Sequence, residues 1–182
     1  MDFKLVTEKL AAAFLQNKVQ YALIGGYAVS LWGLPRATVD LDFLVRRTDM
    51  EMVREIVESL GYHCMHTSEN VTQFDAADNA LGEVDFLHAF RPASLAMLER
   101  AELKTVFDGQ EPVPVILPED LIGLKVQAIA NKPSRMAIDK ADIEGLMQLC
   151  GDQLDWQQVA DYFALFDMTT LYLELKERHY GH

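Results

Sequence analysis

Cysteine is scarce in this sequence: 182 residues carry only Cys64 and Cys150, far apart. Two thiols cannot build a disulfide framework, and with no sign of export they read as free cysteines of a reducing compartment. Long apolar runs are missing too. None approaches the roughly 20 residues that span a bilayer, so no membrane association is expected. Met1-Asp2-Phe3-Lys4 opens an amphipathic pattern rather than a basic-then-apolar leader, so a signal peptide is not expected and the cytoplasm is the expected location. Basic charge is in short supply, 16 Lys and Arg against 28 Asp and Glu, for a net charge of -12. That balance weighs against nucleic-acid binding as a whole-surface property, although a local basic groove is compatible with it. Internal repeats and low-complexity stretches are absent. No Ser-His-Asp or Cys-His arrangement stands out. The group His63-Cys64-Met65-His66 fits no zinc spacing, and on a regular strand the two histidines would face opposite sides, so they read as structural.

What remains is the composition of an ordinary globular chain, 50% hydrophobic and 24% charged. Leu5, Leu10, Ala13 and Phe14 predict a helix over about residues 2–16. Val19 to Ile24 is a short apolar run stopped by Gly25-Gly26, as a buried strand would be. Tyr27 to Trp32, apolar on every face, predicts a short buried helix ended by Gly33-Leu34-Pro35. Thr48-Asp49-Met50-Glu51 has capping-box spacing, and Met52, Val53, Ile56, Val57 and Leu60 mark the helix it would open. Two or three strands are expected over 62–90, the last from Glu83 to His88, and Ser94 to Arg100 is expected to be helical. Leu103 to Phe107 and Val113 to Leu117 flank Asp108-Gly109, a hairpin signal. From Pro118 the pattern turns helical, with Glu119 and Asp120 in the first turn and further helices around 139–149 and 156–178. Met136 and Met147, with Leu146 and Leu149, read as helix-packing residues. The fold expected is α+β, a mixed β-sheet packed by helices over residues 1–117 and a C-terminal helical extension over 118–182.

Val39 to Val45 carries the chemistry. Val39, Leu41, Phe43 and Val45 alternate with Asp40, Asp42 and Leu44, which predicts a strand with one apolar face and two adjacent carboxylates on the other. Two such carboxylates repel unless a cation lies between them. Hard oxygen ligands suit Mg²⁺, or Mn²⁺ in its place, and Asp85 on a second strand is a candidate third ligand. Asp75, Asp78 and Glu83 compete for that part. Three carboxylates suit two ions about 4 Å apart, the spacing used for in-line phosphoryl transfer. Gly25-Gly26 lies where strand gives way to helix. It reads either as a simple turn or as a site where phosphate approaches the backbone at a helix N-terminus.

Ile24-Gly25-Gly26, thirteen residues, Asp40-Leu41-Asp42-Phe43 and then Val84-Asp85-Phe86 resembles the signature of the DNA polymerase β-like nucleotidyltransferase superfamily. Arg36-Ala37-Thr38-Val39-Asp40-Leu41-Asp42 is similar to the form found in small bacterial members related to the AbiEii toxins of abortive-infection systems. The resemblance covers about residues 19–90, and more weakly 118–146. It implies a nucleotidyltransferase-like core, a nucleoside triphosphate (NTP) as substrate and Mg²⁺ or Mn²⁺ as cofactor. It also implies roles: Gly25 and Gly26 cradling the triphosphate, Asp40 and Asp42 ligating both ions, and Asp85 binding the ion beside the acceptor hydroxyl and helping to deprotonate it.

Lys125 shares its helix face with Leu121, Ile122, Ala128 and Ile129, so it either snorkels outward or meets an anion. Relatives of this superfamily carry a lysine on such a helix as a triphosphate contact. Arg36 is either a surface charge or a further nucleotide contact, and Arg135 is a further candidate phosphate ligand. Asp139 and Asp142 resemble an Asp-x-x-Asp element of the AbiEii-like proteins, where a lysine comes just before the first aspartate; here Ile138 takes that place and Lys140 follows.

The function expected is metal-dependent transfer of a nucleoside monophosphate from an NTP to a hydroxyl, with release of pyrophosphate. The acceptor is open between a small molecule, a protein side chain and a tRNA end, the last disfavoured by the net charge. The alternative is a nucleotide-binding or toxin–antitoxin interaction module with a protein partner encoded nearby.

Overall fold

The structure, a computed structural model, describes residues 1–107 and 112–180, and in Tyr180 the backbone alone. The chain falls into two compact units, Met1–Ala28 with Ala37–Ile116, and Val29–Arg36 with Leu117–His182.

The first unit is built on a mixed sheet. Helix α1 (Phe3–Gln16) starts where Asp2 accepts a hydrogen bond from the Leu5 backbone N–H at 3.0 Å. Val6, Leu10 and Phe14 lie buried on its inner face, four residues apart. Strand β1 (Tyr21–Ile24) runs directly into helix α2 (Gly25–Leu31). Strand β2 (Asp40–Arg46), helix α3 (Met50–Ser59), and strands β3 (Tyr62–Thr67), β4 (Val71–Ala76) and β5 (Glu83–Ala89) follow. Helix α4 (Pro92–Glu99) and the short strands β6 (Glu102–Lys104) and β7 (Val113–Val115) complete the unit. The sheet order is β3-β4-β5-β2-β1-β7-β6. The β2–β5 and β1–β7 pairs are parallel, and the other four are antiparallel. Strands β6 and β7 pair as the hairpin signal predicts, while Asp108-Gly109 lies outside the described residues.

One sheet face is the core. Phe43 and Phe86, neighbours in the β2–β5 register, stack with centroids 5.4 Å apart. Phe14 meets both rings edge-on at 6.2 and 6.1 Å, and Phe74 meets Phe86 at 5.8 Å. These side chains are fully or nearly fully buried, each contributing about 2–3 kcal/mol of transfer free energy. The strong β2 alternation predicted from sequence therefore fixes which face of the sheet turns inward.

Four local expectations are corrected. Val39 is 79% exposed and precedes β2, while Leu44, on the carboxylate face, is fully buried. The capping box at Thr48 does not form. A 3-10 turn over Arg47–Asp49 leads into α3 with Asp49 already helical, so the Thr48 hydroxyl bonds Asp49 Oδ1 instead. The helix expected over 156–178 is two helices, because Asp167 takes φ +57° and breaks it. Finally, a bulge between Cys64 and His66 shifts the β3 register, so His63 lies opposite Asp75 and His66 opposite Gln73. Those partners are two apart on β4, so the bulge puts both histidines on one face rather than on opposite ones.

The second unit is helical. It comprises α5 (Pro118–Asn131), α6 (Met136–Cys150), α7 (Trp156–Leu165) and α8 (Thr169–Tyr180), with the 29–36 segment. Pro118 occupies the first turn of α5, and Asp155 caps α7 by accepting from the backbone of Gln157 and Gln158 at 3.0 Å each. Leu34 packs on α6 at Gly145, where a β-carbon would lie 2.5 Å from the leucine side chain. Among the described residues, no helix is long and apolar enough to cross a membrane.

Candidate active site

The parallel register of β2 and β5 sets Asp42 directly beside Asp85, and Asp40 beside Glu83. Strand β4 extends both rows, with Gln73 opposite Asp85 and Asp75 opposite Glu83. The bulged β3 adds His66 and His63 at their far ends. The sheet face turned away from the aromatic core thus carries two polar rows, His66–Gln73–Asp85–Asp42 and His63–Asp75–Glu83–Asp40. Sequence alternation places Asp40 and Asp42 together; the register is what brings Asp85 to them.

Each acid has a defined local setting. Asp40 Oδ1 accepts from the Thr38 hydroxyl at 2.6 Å. Asp85 Oδ2 accepts from Gln73 Nε2 at 2.6 Å. Asp42 lies against the start of α2: a β-carbon on Gly25 would stand 1.9 Å from Asp42 Oδ2. Gly25 also holds φ +69°, a conformation that costs a non-glycine residue strain. Burial pushes the Asp85 carboxyl above its ordinary range; the Gln73 hydrogen bond opposes this, and the charges of Asp40 and Glu83 push it further up. Of the other acids weighed as third carboxylate, Asp75 accepts from the Ala76 backbone and Asp78 from that of Ala80, which makes Asp78 a turn residue.

A carboxylate-only donor set of this charge suits a hard divalent cation. Burial is the first cause of the raised Asp85 carboxyl, and the repulsion from Asp40 and Glu83 that adds to it is what such an ion would relieve. Among the described residues, no group of three or more His, Cys, Asp or Glu side chains already stands in metal-holding geometry. Thr38 and Gln73 each hold one carboxylate oxygen, of Asp40 and Asp85 respectively.

Arg36 and Lys125 belong to the second unit, where they share one carboxylate network. Lys125 is buried and donates to Asp142 Oδ2 at 2.5 Å and to Asp139 Oδ1 at 3.3 Å. Arg36 Nε donates to both Asp142 oxygens at 2.9 and 2.8 Å. Arg135 Nε donates to Asp139 Oδ2 at 2.7 Å. The anion that Lys125 meets is therefore supplied by α6, from two aspartates one turn apart. Gln73 escaped the sequence reading. Alternation along Val71-Thr72-Gln73-Phe74-Asp75 marks it as polar-face, but nothing local says which acid it would oppose.

No protein-family model matches the chain, and no curated protein matches it. Among solved structures the answer is clear: the fold is a nucleotidyltransferase fold, a mixed sheet with helices. Three of the similar structures are the following. The antibiotic-resistance factor ANT(2'')-Ia matches over 100% of both chains, at 20% identity and TM-score 0.68; that protein has also been solved in complex with adenylyl-2''-tobramycin. The lincosamide antibiotic adenylyltransferase LnuA, lincomycin-bound, matches over 77% of this chain and 93% of its own, at 18% identity and TM-score 0.52. The nucleotidyltransferase toxin MenT4 from Mycobacterium tuberculosis H37Rv matches over 88% of this chain and 62% of its own, at 19% identity and TM-score 0.58.

Proposed function

We propose that the chain is a metal-dependent nucleotidyltransferase that moves a nucleoside monophosphate from an NTP to a hydroxyl, releasing pyrophosphate. The observation that carries this reading is the register pair Asp42–Asp85, with Gly25 pressed against Asp42. It joins three carboxylates and the Gly-Gly turn at one place on the sheet. Asp40, Asp42 and Asp85 would hold Mg²⁺ or Mn²⁺, which would supply Lewis-acid polarisation of the reacting phosphate and a lower pKa for the attacking hydroxyl. Gly25 and Gly26 let the triphosphate approach the first turn of α2, where backbone N–H groups meet negative charge. Asp85 accepts the proton of the acceptor hydroxyl as that oxygen attacks the α-phosphate, and pyrophosphate leaves in line. Catalysis is mostly positioning and charge neutralisation, and it falls to residues 1–117, with 118–182 as a helical extension. Arg36 and Lys125 remain candidate nucleotide contacts only on condition that they give up, in part or whole, the aspartates they now hold.

The acceptor we favour is a small polyhydroxylated amine. The rows on the sheet face continue beyond the trio through Glu83 and Asp75, and the chain's net charge of -12 suits a cationic partner better than tRNA. The full-length likeness to ANT(2'')-Ia supports the same choice. A second reading follows from the likeness to MenT4: a toxin-type nucleotidyltransferase with a protein partner encoded nearby. Either would act in the cytoplasm, where NTP is supplied. The test is transfer of α-labelled NTP, with and without Mg²⁺, to tobramycin, to lincomycin and to a cell extract, with Asp40→Asn/Asp42→Asn as the control. No Mg²⁺-dependent label on any acceptor would remove the enzyme reading, and label confined to RNA or protein would favour the toxin-type one.

A further inference from the structure

We infer that Gln73 is a positioning residue for Asp85, fixing which carboxylate oxygen is presented to the metal and the acceptor; this rests on the nucleotidyltransferase reading above. Gln73 lies directly opposite Asp85 in the antiparallel β4–β5 register. Its Nε2 donates to Asp85 Oδ2 at 2.6 Å, and both side chains are half-buried. A carboxylate can only accept, so the amide must present its NH₂ and the orientation of Gln73 is settled by chemistry. A short bond to an ionised group from a residue on an interior strand holds the carboxylate plane far better than water would. One lone pair of Oδ2 is thereby committed to Gln73, which leaves Oδ1 as the oxygen with both lone pairs open to an ion in this carboxylate orientation. In the register Asp85 stands between β4 and Asp42, and Glu83 between β4 and Asp40, so of the three acids Asp85 is the one that lies opposite Gln73.

The geometry also explains a feature of β3. The bulge between Cys64 and His66 closes the register over Gln73, so β4 is paired on both sides at this residue. The Gln73 backbone is held by two strands, and its side chain is aimed by the sheet, not by a loop. A partner so placed on a metal-ligating carboxylate is worth about 10–100-fold in metal affinity when it is removed.

The test compares Gln73→Met, which keeps length and loses the donor, with Gln73→His, which keeps a donor at about the same reach. Mn²⁺ binding is followed by electron paramagnetic resonance with a non-hydrolysable ATP analogue present, and kcat and KM are measured in parallel, with active sites counted by calorimetric stoichiometry. The expected result is about tenfold weaker binding of one Mn²⁺ in Gln73→Met, the other ion and the analogue within about threefold, and near-wild-type binding in Gln73→His. Gln73→Met binding both ions as wild type overturns the inference, and so does equal weakening in both variants. A wild-type chain that binds no Mn²⁺ with the analogue removes the nucleotidyltransferase reading itself, a different result from wild-type binding beside an indifferent Gln73→Met.

Discussion

Asp42 places its carboxylate in the space a side chain on Gly25 would need: a β-carbon there would stand 1.9 Å from Oδ2. The glycine is thus required twice, by contact and by its φ of +69°. Alanine at 25 must push Asp42 away and adopt a strained backbone, at about 1–3 kcal/mol. We expect Gly25→Ala to stay folded by circular dichroism and lose nucleotide transfer by about a hundredfold or more, since misplacement of the order of 1 Å suffices for that. Transfer within threefold of wild type would show that Asp42 is not held to this position during the reaction.

Much of this site was legible in the sequence, for physical reasons particular to it. Asp40 and Asp42 sit on a strand whose alternation is strong, so their shared face follows from period alone. Asp85 is different. Its place beside Asp42 depends on β5 crossing back to pair parallel with β2, and strand order is a tertiary choice that no local pattern encodes. Gln73 was out of reach for the same reason. His63 and His66 misled because a one-residue bulge reverses facing without a glycine or proline to announce it. Asp167 did likewise for the last helix, being a non-glycine residue at positive φ.

The carboxylate trio should bind nucleotide only through a cation. A non-hydrolysable ATP analogue at about 100 times its dissociation constant should add about 2.7 kcal/mol of stability with Mg²⁺. Removal of the metal with EDTA should abolish that shift, and Asp42→Asn should reduce it even with the metal present. An undiminished thermal shift in EDTA would mean that the nucleotide is held elsewhere.

Lys125 makes a separate prediction about stability. It lies buried between Asp139 and Asp142, whose exposures are 0% and 6%. Removing one member of a buried pair costs about 3–5 kcal/mol, because the opposite charge stays behind. Here Arg135 and Arg36 remain on the two aspartates, so Lys125→Met should fall at the lower end, about 3 kcal/mol by urea denaturation. Asp142→Leu should cost more, since it removes a carboxylate from Lys125 and from Arg36 at once. The double variant should be less destabilised than the sum, by about 0.5–3 kcal/mol. Strict additivity would show that the two residues do not interact in solution.

His88 sets a pH dependence of its own. Its Nδ1 faces the Glu69 backbone carbonyl at 2.9 Å, and a carbonyl only accepts, so Nδ1 carries the proton in the neutral ring. Nε2 then accepts from the Thr72 hydroxyl at 3.0 Å, which leaves Thr67 as donor to Thr72. Protonating Nε2 would require the Thr72 hydroxyl to turn, accept from the ring and donate to Thr67 instead. Burial lowers the His88 pKa, the Glu69 carbonyl opposes this, and the charge of Arg47 lowers it further. Because the folded value lies below the unfolded value near 6.5, the unfolded chain binds more protons as pH falls. The stabilisation is fully present above about pH 6.5, declines as pH drops from there through the folded value, and is level below it. Carboxylate titrations are shared by wild type and His88→Gln, so they cancel in the difference between the two denaturation curves. That difference should shrink steadily between about pH 7 and 5 as the wild type loses its advantage, and a difference constant over the range would mean His88 keeps its ordinary pKa in the folded chain.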